Sequence, residues 1–137
     1  MSGSRLSFLS AMALICLFFS FTVAGAFDEK QLKDLRKSNN CAKCDLTNAK
    51  LGGLDLSYAD LSSSNLTGAD LSNCTFYSAN LSKANLTGAN LTGANLYDTN
   101  LSGANVTKAN LTKANLHSAK WINGKSCKQG SIGECKQ

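Results

Sequence analysis

Large apolar residues recur at every fifth position along most of the chain. From Leu46 to Leu116, each step of five reaches Leu, Phe or Val, and the position two earlier is small in every repeat but one, where Leu54 stands. Alternate residues of an extended chain share a face, so each such pair predicts a short inward-facing strand fragment. The next two residues, commonly Thr-Gly, Ser-Gly or Thr-Lys, favour a turn. The pattern therefore predicts a backbone that bends once in every five residues.

The same period excludes the two regular structures that could otherwise bury these residues. In an α-helix, a strict period of five would spread the leucines around the whole circumference and leave no single buried stripe. In a flat sheet, the apolar positions would change faces from one repeat to the next. A stacked, repeatedly turning solenoid remains, in which each repeat depends on its neighbours for burial.

The repeated unit appears in the chain as AKL, ADL, ANL and ANV, followed by two turn residues. Over Cys44 to Ser118, fifteen consecutive pentads, the chain resembles the pentapeptide-repeat family, whose motif is A(D/N)LxX. The resemblance implies an all-β solenoid, a right-handed quadrilateral β-helix of about four coils. Stacked repeats of this kind bury one continuous core. Four repeats would form the four sides of each coil.

A four-sided coil would place residues twenty apart directly above one another. Tyr77, Tyr97 and His117 have this spacing, and each takes the outward position after the central apolar residue. With coils about 4.8 Å apart, they would form an external column of stacked rings. We therefore predict that Tyr77, Tyr97 and His117 form a candidate binding face.

Both ends of a solenoid need covering, because an open strand edge pairs readily with other chains. Residues 28–37 predict a helix, with Asp28 and Gln31 at capping-box spacing and two leucines on one face. This helix would lie in an N-terminal cap, residues 27–43, ahead of the repeats, residues 44–121. Residues 122–137 would form a C-terminal loop cap closed by a disulfide, with Trp121 and Ile122 covering the last coil and its edge blunted.

The first residues have the pattern of a secretory signal peptide. An uncharged apolar run from Leu6 to Val23 follows Arg5, and the small residues Ala24-Gly25-Ala26 provide a cleavage site. We expect cleavage after Ala26 and export to a periplasm, a thylakoid lumen or the extracellular medium. The alternative is a membrane anchor that stays attached, because about 20 apolar residues span a bilayer.

Five cysteines follow residue 26, and an exported chain meets oxidising conditions that favour local disulfides. We expect the pairs Cys41–Cys44 and Cys127–Cys135, with Cys74 left as a buried, inert thiol. The Cys-x-x-Cys spacing also raises three other possibilities. Haem attachment requires a histidine where Asp45 stands, zinc requires two further ligands nearby, and a redox centre stays an alternative.

Charge is weak in total but uneven along the chain. Without residues 1–26 there are thirteen basic and nine acidic residues, a net charge of +4. Residues 45–70 contain four acids and one lysine, whereas residues 71–137 contain seven lysines against Asp98 and Glu134. The two ends of the solenoid therefore differ in sign, and the simplest interpretation of the lysines is a solvated face.

No residues group into a catalytic, cofactor or metal site, so we expect a protein that is not an enzyme and has no cofactor. The single histidine, His117, has no partner carboxylate or second ligand in register. The first hypothesis is a non-catalytic exported scaffold that presents a polar solenoid surface to an unknown protein or polymer. It includes no nucleic-acid partner and no membrane contact after signal cleavage, and a monomer is favoured over an oligomer.

Three other functions are alternatives to this hypothesis. A thiol/disulfide redox protein would use Cys41 and Cys44. An ice- or surface-binding solenoid would use threonine columns; these are Thr47, Thr67, Thr87 and Thr107 on one side, and Thr92 and Thr112 above Ser72 on the next. Family members that mimic DNA and protect gyrase suggest a third function, which the positive charge of this chain disfavours.

Overall fold

A computed structural model describes residues 29–137 of the chain. The predicted leader, residues 1–26, and the predicted capping residue Asp28 lie outside the described residues. Within the described part, no helix has both the length and the apolar composition needed to cross a membrane.

The chain enters the solenoid through one helix, α1, which runs from Glu29 to Ser38. Leu35 on its inner face is fully buried, and Leu32 packs partly against the same core. The Gln31 side chain accepts a hydrogen bond from the backbone N–H of Asp45 in the first pentad. The helix therefore covers the apolar end of the first coil and occupies part of its open edge.

Parallel β-bridges join residues that lie twenty positions apart, from Asn40 with Asp60 to Asn100 with Lys120. They are isolated single-residue bridges, and residues 29–137 contain no continuous strand. The backbone hydrogen bonds between neighbouring coils alternate in direction. Leu66 N–H donates to the Asn85 carbonyl in the next coil at 2.8 Å, and Asn85 N–H donates back to the Ser64 carbonyl at 2.9 Å. The chain thus returns over itself after every four pentads.

A tight turn at the end of each pentad produces the bend. Ala49 N–H donates to the Leu46 carbonyl at 3.0 Å, and Asn48 between them has φ of 58°. A positive φ at the third residue is typical of a type II turn, in which glycine or asparagine is favoured. Gly53, with φ of 75°, takes the same position one pentad later. The glycines and asparagines before the small inward residues are therefore there for the turn.

The core is a narrow shaft filled by the two inward columns. Leu61, Leu81 and Phe76 are among the side chains with no exposed surface, and the alanines between them leave room for these large groups. Two inward residues are polar and fully satisfied. Ser64 Oγ donates to the Leu61 carbonyl and Thr99 Oγ1 to the Phe76 carbonyl, both at 2.6 Å.

Asparagine and aspartate side chains form columns along the sides of the shaft. Each Oδ1 accepts the backbone N–H two residues later, as Asn80 does from Ser82 at 3.1 Å, so the amide Nδ2–H remains free to donate to the coil before. Asn80 donates in this way to Asp60, and Asn100 to Asn80. An aspartate only accepts, so no side-chain donation continues below it. Asp45 and Asp55 stand at the foot of their columns, whereas Asp60 and Asp70 stand above Asn40 and Lys50.

The C-terminal segment covers less of the last coil than the sequence predicts. Residues 122–137 turn back and pair antiparallel with the coil at two places, Lys120 with Ser126 and Asn115 with Ile132. Trp121 packs partly against the core, but Ile122 is 39% exposed and does not cover it. The prediction for Ile122 is wrong because the chain turns at Gly124, whose N–H donates to the Trp121 carbonyl, and this turn leaves Ile122 outside.

Candidate functional site

The most distinctive surface of the solenoid is a column of aromatic rings on one side. The rings of Tyr77 and Tyr97 are stacked, with centroids 5.4 Å apart and an interplanar angle of 6°. His117 meets Tyr97 edge-on, at 5.0 Å and 67°. All three side chains follow the same apolar column of the core, one coil apart. We call Tyr58, Tyr77, Tyr97 and His117 the aromatic column.

Tyr58 belongs to this column although the twenty-residue spacing did not identify it. Its ring lies 5.6 Å from that of Tyr77 at an angle of 77°, and the side chain is 70% exposed. Tyr58 occupies the turn position next to the expected one and has φ of 61°. The sequence does indicate this neighbour, because Tyr58 lies nineteen positions before Tyr77, one residue short of the coil period. A comparison of residues exactly twenty apart does not find it.

The arrangement determines which parts of the tyrosines a ligand meets. Tyr77 contacts Tyr58 on one side and Tyr97 on the other, while Tyr97 lies between Tyr77 and His117. Tyr77 and Tyr97, enclosed in this way, leave little open ring face for stacking on a sugar or a nucleobase, whereas Tyr58 at the end of the column is mostly exposed. The column presents ring edges, phenol hydroxyl groups and one imidazole, which are groups that contact protein surfaces well.

Backbone groups hold the column in register. Tyr97 N–H donates to Asn95 Oδ1 at 3.2 Å and His117 N–H to Asn115 Oδ1 at 3.1 Å, while Asn115 Nδ2 donates to Asn95 Oδ1 at 3.3 Å. The amide column therefore runs beside the aromatic column and fixes the start of each aromatic side chain. The binding role predicted for Tyr77, Tyr97 and His117 stays a prediction.

Four aspartates give the first part of the solenoid a stable negative charge. The Thr47 hydroxyl donates to Asp45 Oδ1 at 2.6 Å and its backbone N–H donates at 3.1 Å, and these bonds hold the pKa of Asp45 below its ordinary value of 3.8. The pKa of Asp55 is lowered in the same way by Ser57. Donors from the following turn thus favour the ionised form.

The threonine columns proposed for ice or surface binding are tied into the same hydrogen-bond system. Thr67 Oγ1 donates to Asn65 Oδ1 at 2.7 Å, and Asn65 Nδ2 donates to Thr47 Oγ1 at 2.8 Å. Thr87 and Thr92 also donate their hydroxyl protons to the asparagine two residues earlier. These hydroxyl groups therefore serve the solenoid itself.

Two cysteine pairs lie at bonding distance, one at each end of the solenoid. The Sγ atoms of Cys41 and Cys44 are 2.03 Å apart, and those of Cys127 and Cys135 are 1.97 Å apart. Cys41 is almost fully buried beside α1. The first pair connects the helical cap to the first coil, and the second closes the C-terminal loop.

Cys74 lies in the shaft with no exposed surface, and its thiol donates to the Leu51 carbonyl at 3.0 Å. Burial raises the pKa of this thiol, which disfavours the reactive thiolate. Within residues 29–137, no three histidine, cysteine, aspartate or glutamate side chains group closely enough to hold a metal ion.

Comparison with known proteins agrees with this geometry. The family model described as "Pentapeptide repeats (8 copies)" matches residues 40–77, 55–93 and 79–117, together more than half of the chain. No curated protein matches the sequence significantly.

Several solved structures resemble the chain. The pentapeptide repeat protein Rfr23 from the cyanobacterium Cyanothece 51142 is 34% identical with a TM-score of 0.59, over 60% of this chain and 56% of its own. The pentapeptide repeat protein alr5209 from Nostoc PCC 7120 is 29% identical with a TM-score of 0.36, over 64% of this chain and 78% of its own. A pentapeptide repeat protein from the Arabidopsis thaliana thylakoid lumen is 22% identical with a TM-score of 0.31, over 58% and 63%.

The alignment thus spans little more than half the length of Rfr23. The matched residues coincide with the pentads that form the bridged coils, and the family model and the fold therefore agree: the chain belongs to the pentapeptide-repeat family.

Proposed function

We propose that this protein is a non-catalytic exported scaffold that binds a protein partner through the aromatic column. In this proposal the solenoid is a right-handed quadrilateral β-helix of about four coils, in keeping with its stacked repeats. The helical cap comprises residues 27–43, the repeats residues 44–121 and the C-terminal cap residues 122–137. The chain acts after cleavage at Ala26.

The single observation that carries the proposal is the stacking of Tyr77 on Tyr97 at an exposed surface. Most positions directly after the central apolar residue hold serine, threonine or glycine, so four aromatic side chains on one side form a distinct patch. Tyrosine supplies contact area and a hydrogen bond at little cost in conformational entropy, and it is enriched at protein interfaces. A protein surface also suits the ring edges that the column exposes.

The test is site-specific photocrosslinking in the compartment to which the chain is exported. A benzophenone amino acid replaces Tyr97 in one variant and Thr87, on a different side, in the control. A discrete crosslinked species from position 97 and none from position 87 supports the proposal. Equal crosslinking from both positions, or none from position 97, contradicts it.

A second pair of variants measures the contribution of the rings themselves. The triple change Tyr77→Ser, Tyr97→Ser and His117→Ser removes three of the four rings of the column. The control, Thr67→Ser with Thr87→Ser, changes two positions on another side. Affinity capture should lose the crosslinked partner only with the first variant. Melting curves of both variants establish that the coils are intact.

The alternatives have separate tests. Ice or surface binding by the threonine columns predicts thermal hysteresis in concentrated protein, and its absence removes that function. A redox role for Cys41 and Cys44 predicts rapid exchange with glutathione, as taken up in the Discussion. Gyrase protection would require a DNA-like acidic surface, and the net positive charge disfavours it.

A further inference from the structure

The last coil is closed on two of its four sides and open on the other two. Leu101 N–H donates to the Lys120 carbonyl at 2.7 Å, where the solenoid itself continues over this side, and Leu116 N–H donates to the Ser131 carbonyl at 2.8 Å, where the C-terminal segment returns. Of the two intervening sides, the one centred on Val106 has no chain above it within residues 29–137. The one centred on Leu111 is approached at its far end by Gly133, where an added Cβ would lie 3.6 Å from the Leu111 carbonyl oxygen and 3.7 Å from the Lys113 nitrogen. We call residues 104–113 the open edge.

The open edge has unpaired backbone groups whose equivalents one coil earlier are hydrogen-bonded. One coil earlier, Leu86 and Gly88 donate to the carbonyls of the coil above at 2.8 and 2.9 Å, and Leu91 and Gly93 do the same at 2.8 and 2.9 Å. Among the described residues, no acceptor meets the corresponding N–H groups, which belong to Val106, Lys108, Leu111 and Lys113. The carbonyls of Ala104 and Ala109 likewise receive no donor there. The edge therefore offers four donors and two acceptors.

The apolar shaft is also partly uncovered at this edge. Val106, Ala109 and Leu111 are only partly buried, whereas the equivalent residues one coil earlier are fully buried. Ile132 in the adjoining C-terminal segment is 53% exposed. Apolar surface beside unpaired backbone groups is the combination that accepts an added strand.

Charge decides what kind of strand fits. Lys108 and Lys113 stand on the open edge itself, and residues 71–137 carry seven lysines against two acids. Two copies meeting at this edge would bring the lysines of both together, which disfavours self-association. An excess of N–H donors together with lysines instead matches a segment rich in carboxylates.

We propose that the open edge binds an extended acidic segment of a partner protein as an added strand. Its carbonyl groups accept from the N–H groups of Val106 and Lys108, on the side that Gly133 does not approach. Its carboxylates lie against the two lysines, and an apolar residue between them covers Val106. This surface lies at the end of the solenoid and is separate from the aromatic column.

The test uses the full chain as exported and a fluorescent peptide of alternating glutamate and valine, with binding followed by anisotropy. The variant Lys108→Glu with Lys113→Glu should weaken binding about tenfold, because two partly exposed ion pairs are lost and repulsion replaces them. The control Lys125→Glu with Lys128→Glu makes the same change in net charge outside the edge. It should retain binding within about threefold.

Backbone pairing has its own readout. Hydrogen exchange of the Val106 and Lys108 amides should slow on addition of the peptide, as strand addition requires. An acidic peptide with proline at alternate positions, which lacks the N–H donors and the extended pairing, should bind at least about tenfold more weakly.

Three outcomes would overturn the proposal. Equal weakening by the two lysine variants would reveal general attraction of acids to a basic protein. Unchanged amide exchange would show that the peptide binds without adding a strand. Concentration-dependent dimerisation that the lysine variant enhances would identify a second copy of this chain as the occupant instead.

Discussion

Asn80 lies one coil above Asp60, and its Nδ2 donates to Asp60 Oδ1 at 3.2 Å. The Ser62 N–H donates to the same oxygen at 3.0 Å. Hydrogen bonds from Ser62, assisted by the one from Asn80, lower the pKa of Asp60 from its ordinary value of 3.8. A carboxyl with a lowered folded pKa stabilises the fold above its unfolded value, and this contribution is lost as the pH falls through the folded value. The asparagine columns thus link stability to pH.

We predict that the free energy of unfolding is constant near neutral pH and falls below about pH 4, the ordinary carboxyl range. Asp60→Asn with Asp70→Asn should flatten this fall, because the pKa of Asp70 is also lowered, by Ser72 first and by Asn90 in part. Denaturant titrations at about pH 7 and about pH 3 make the measurement. Glu134→Gln, outside the repeats, is the control; an equal flattening there would contradict the assignment.

The position of a leucine along the shaft determines what its loss costs. Leu91→Ala should lower the free energy of unfolding by about 2–5 kcal/mol, the usual cost of a buried leucine-to-alanine change, because Leu91 has no exposed surface. Leu111, one coil later, is only partly buried at the open edge, so Leu111→Ala should cost clearly less. Urea denaturation compares the two. Equal losses would mean that the open edge is covered in solution.

Thiol chemistry separates the structural and the redox interpretations of the cysteines. We predict that the native chain without residues 1–26 has no thiol accessible to an alkylating reagent, because Cys74 is buried and the other four cysteines lie in two pairs at bonding distance. One thiol should appear after denaturation alone. Reduction should then release four more and lower the melting temperature.

The discriminating measurement is the rate at which Cys41 and Cys44 exchange with a glutathione buffer. A structural pair in which Cys41 is buried and Cys44 partly buried should exchange slowly in the native protein. Rapid exchange without loss of the fold would favour the redox function, and two labelled thiols in the untreated protein would contradict the paired state.

Glycine is favoured at the turn position for two different reasons, the positive φ and the lack of space for a Cβ. One pair of variants separates them. Gly88 and Gly93 have φ of 66° and 68°, so alanine at either site carries the strain of a left-handed conformation, roughly 1–2 kcal/mol. A Cβ at Gly93 would lie 2.6 Å from Asn73 Oδ1, whereas one at Gly88 meets nothing within 4 Å. Gly93→Ala should therefore cost more than Gly88→Ala.

The second change Asn73→Gly provides the control for this difference. In the Gly93→Ala background it should restore part of the lost stability, because the displaced amide is gone. No improvement in thermal denaturation would assign the whole cost to backbone strain.

Most of the solenoid could be predicted from the sequence because the same pattern of residue types recurs in every pentad. The inward columns, the turns and the column of Tyr77 with Tyr97 depend on spacing alone, and spacing is visible in the sequence. Helix α1 begins at Glu29 and ends at Ser38, one residue from its predicted end. Family membership followed from the same repeats.

The ends were less predictable because they do not repeat. Ile122 carries the apolar character of a covering residue, yet a turn at Gly124 leaves it exposed. The open edge results from the long-range pairing of Ser126 with Lys120 and of Ile132 with Asn115, and no local sequence pattern predicts this pairing. Tyr58 was missed because its backbone position is one residue away from the position that the twenty-residue spacing predicts. Its ring nevertheless contacts that of Tyr77.

The bridges between residues twenty apart also restrict how such a chain can change its length. Gain or loss of a single pentad would rotate everything after it by one side, so that Tyr97 would no longer follow Tyr77 and the C-terminal segment would return against a different pair of sides. Gain or loss of four pentads preserves every vertical neighbour. Viable descendants of this sequence should therefore grow or shrink by whole coils, and a deletion series in steps of five should recover stability only at the fourth step.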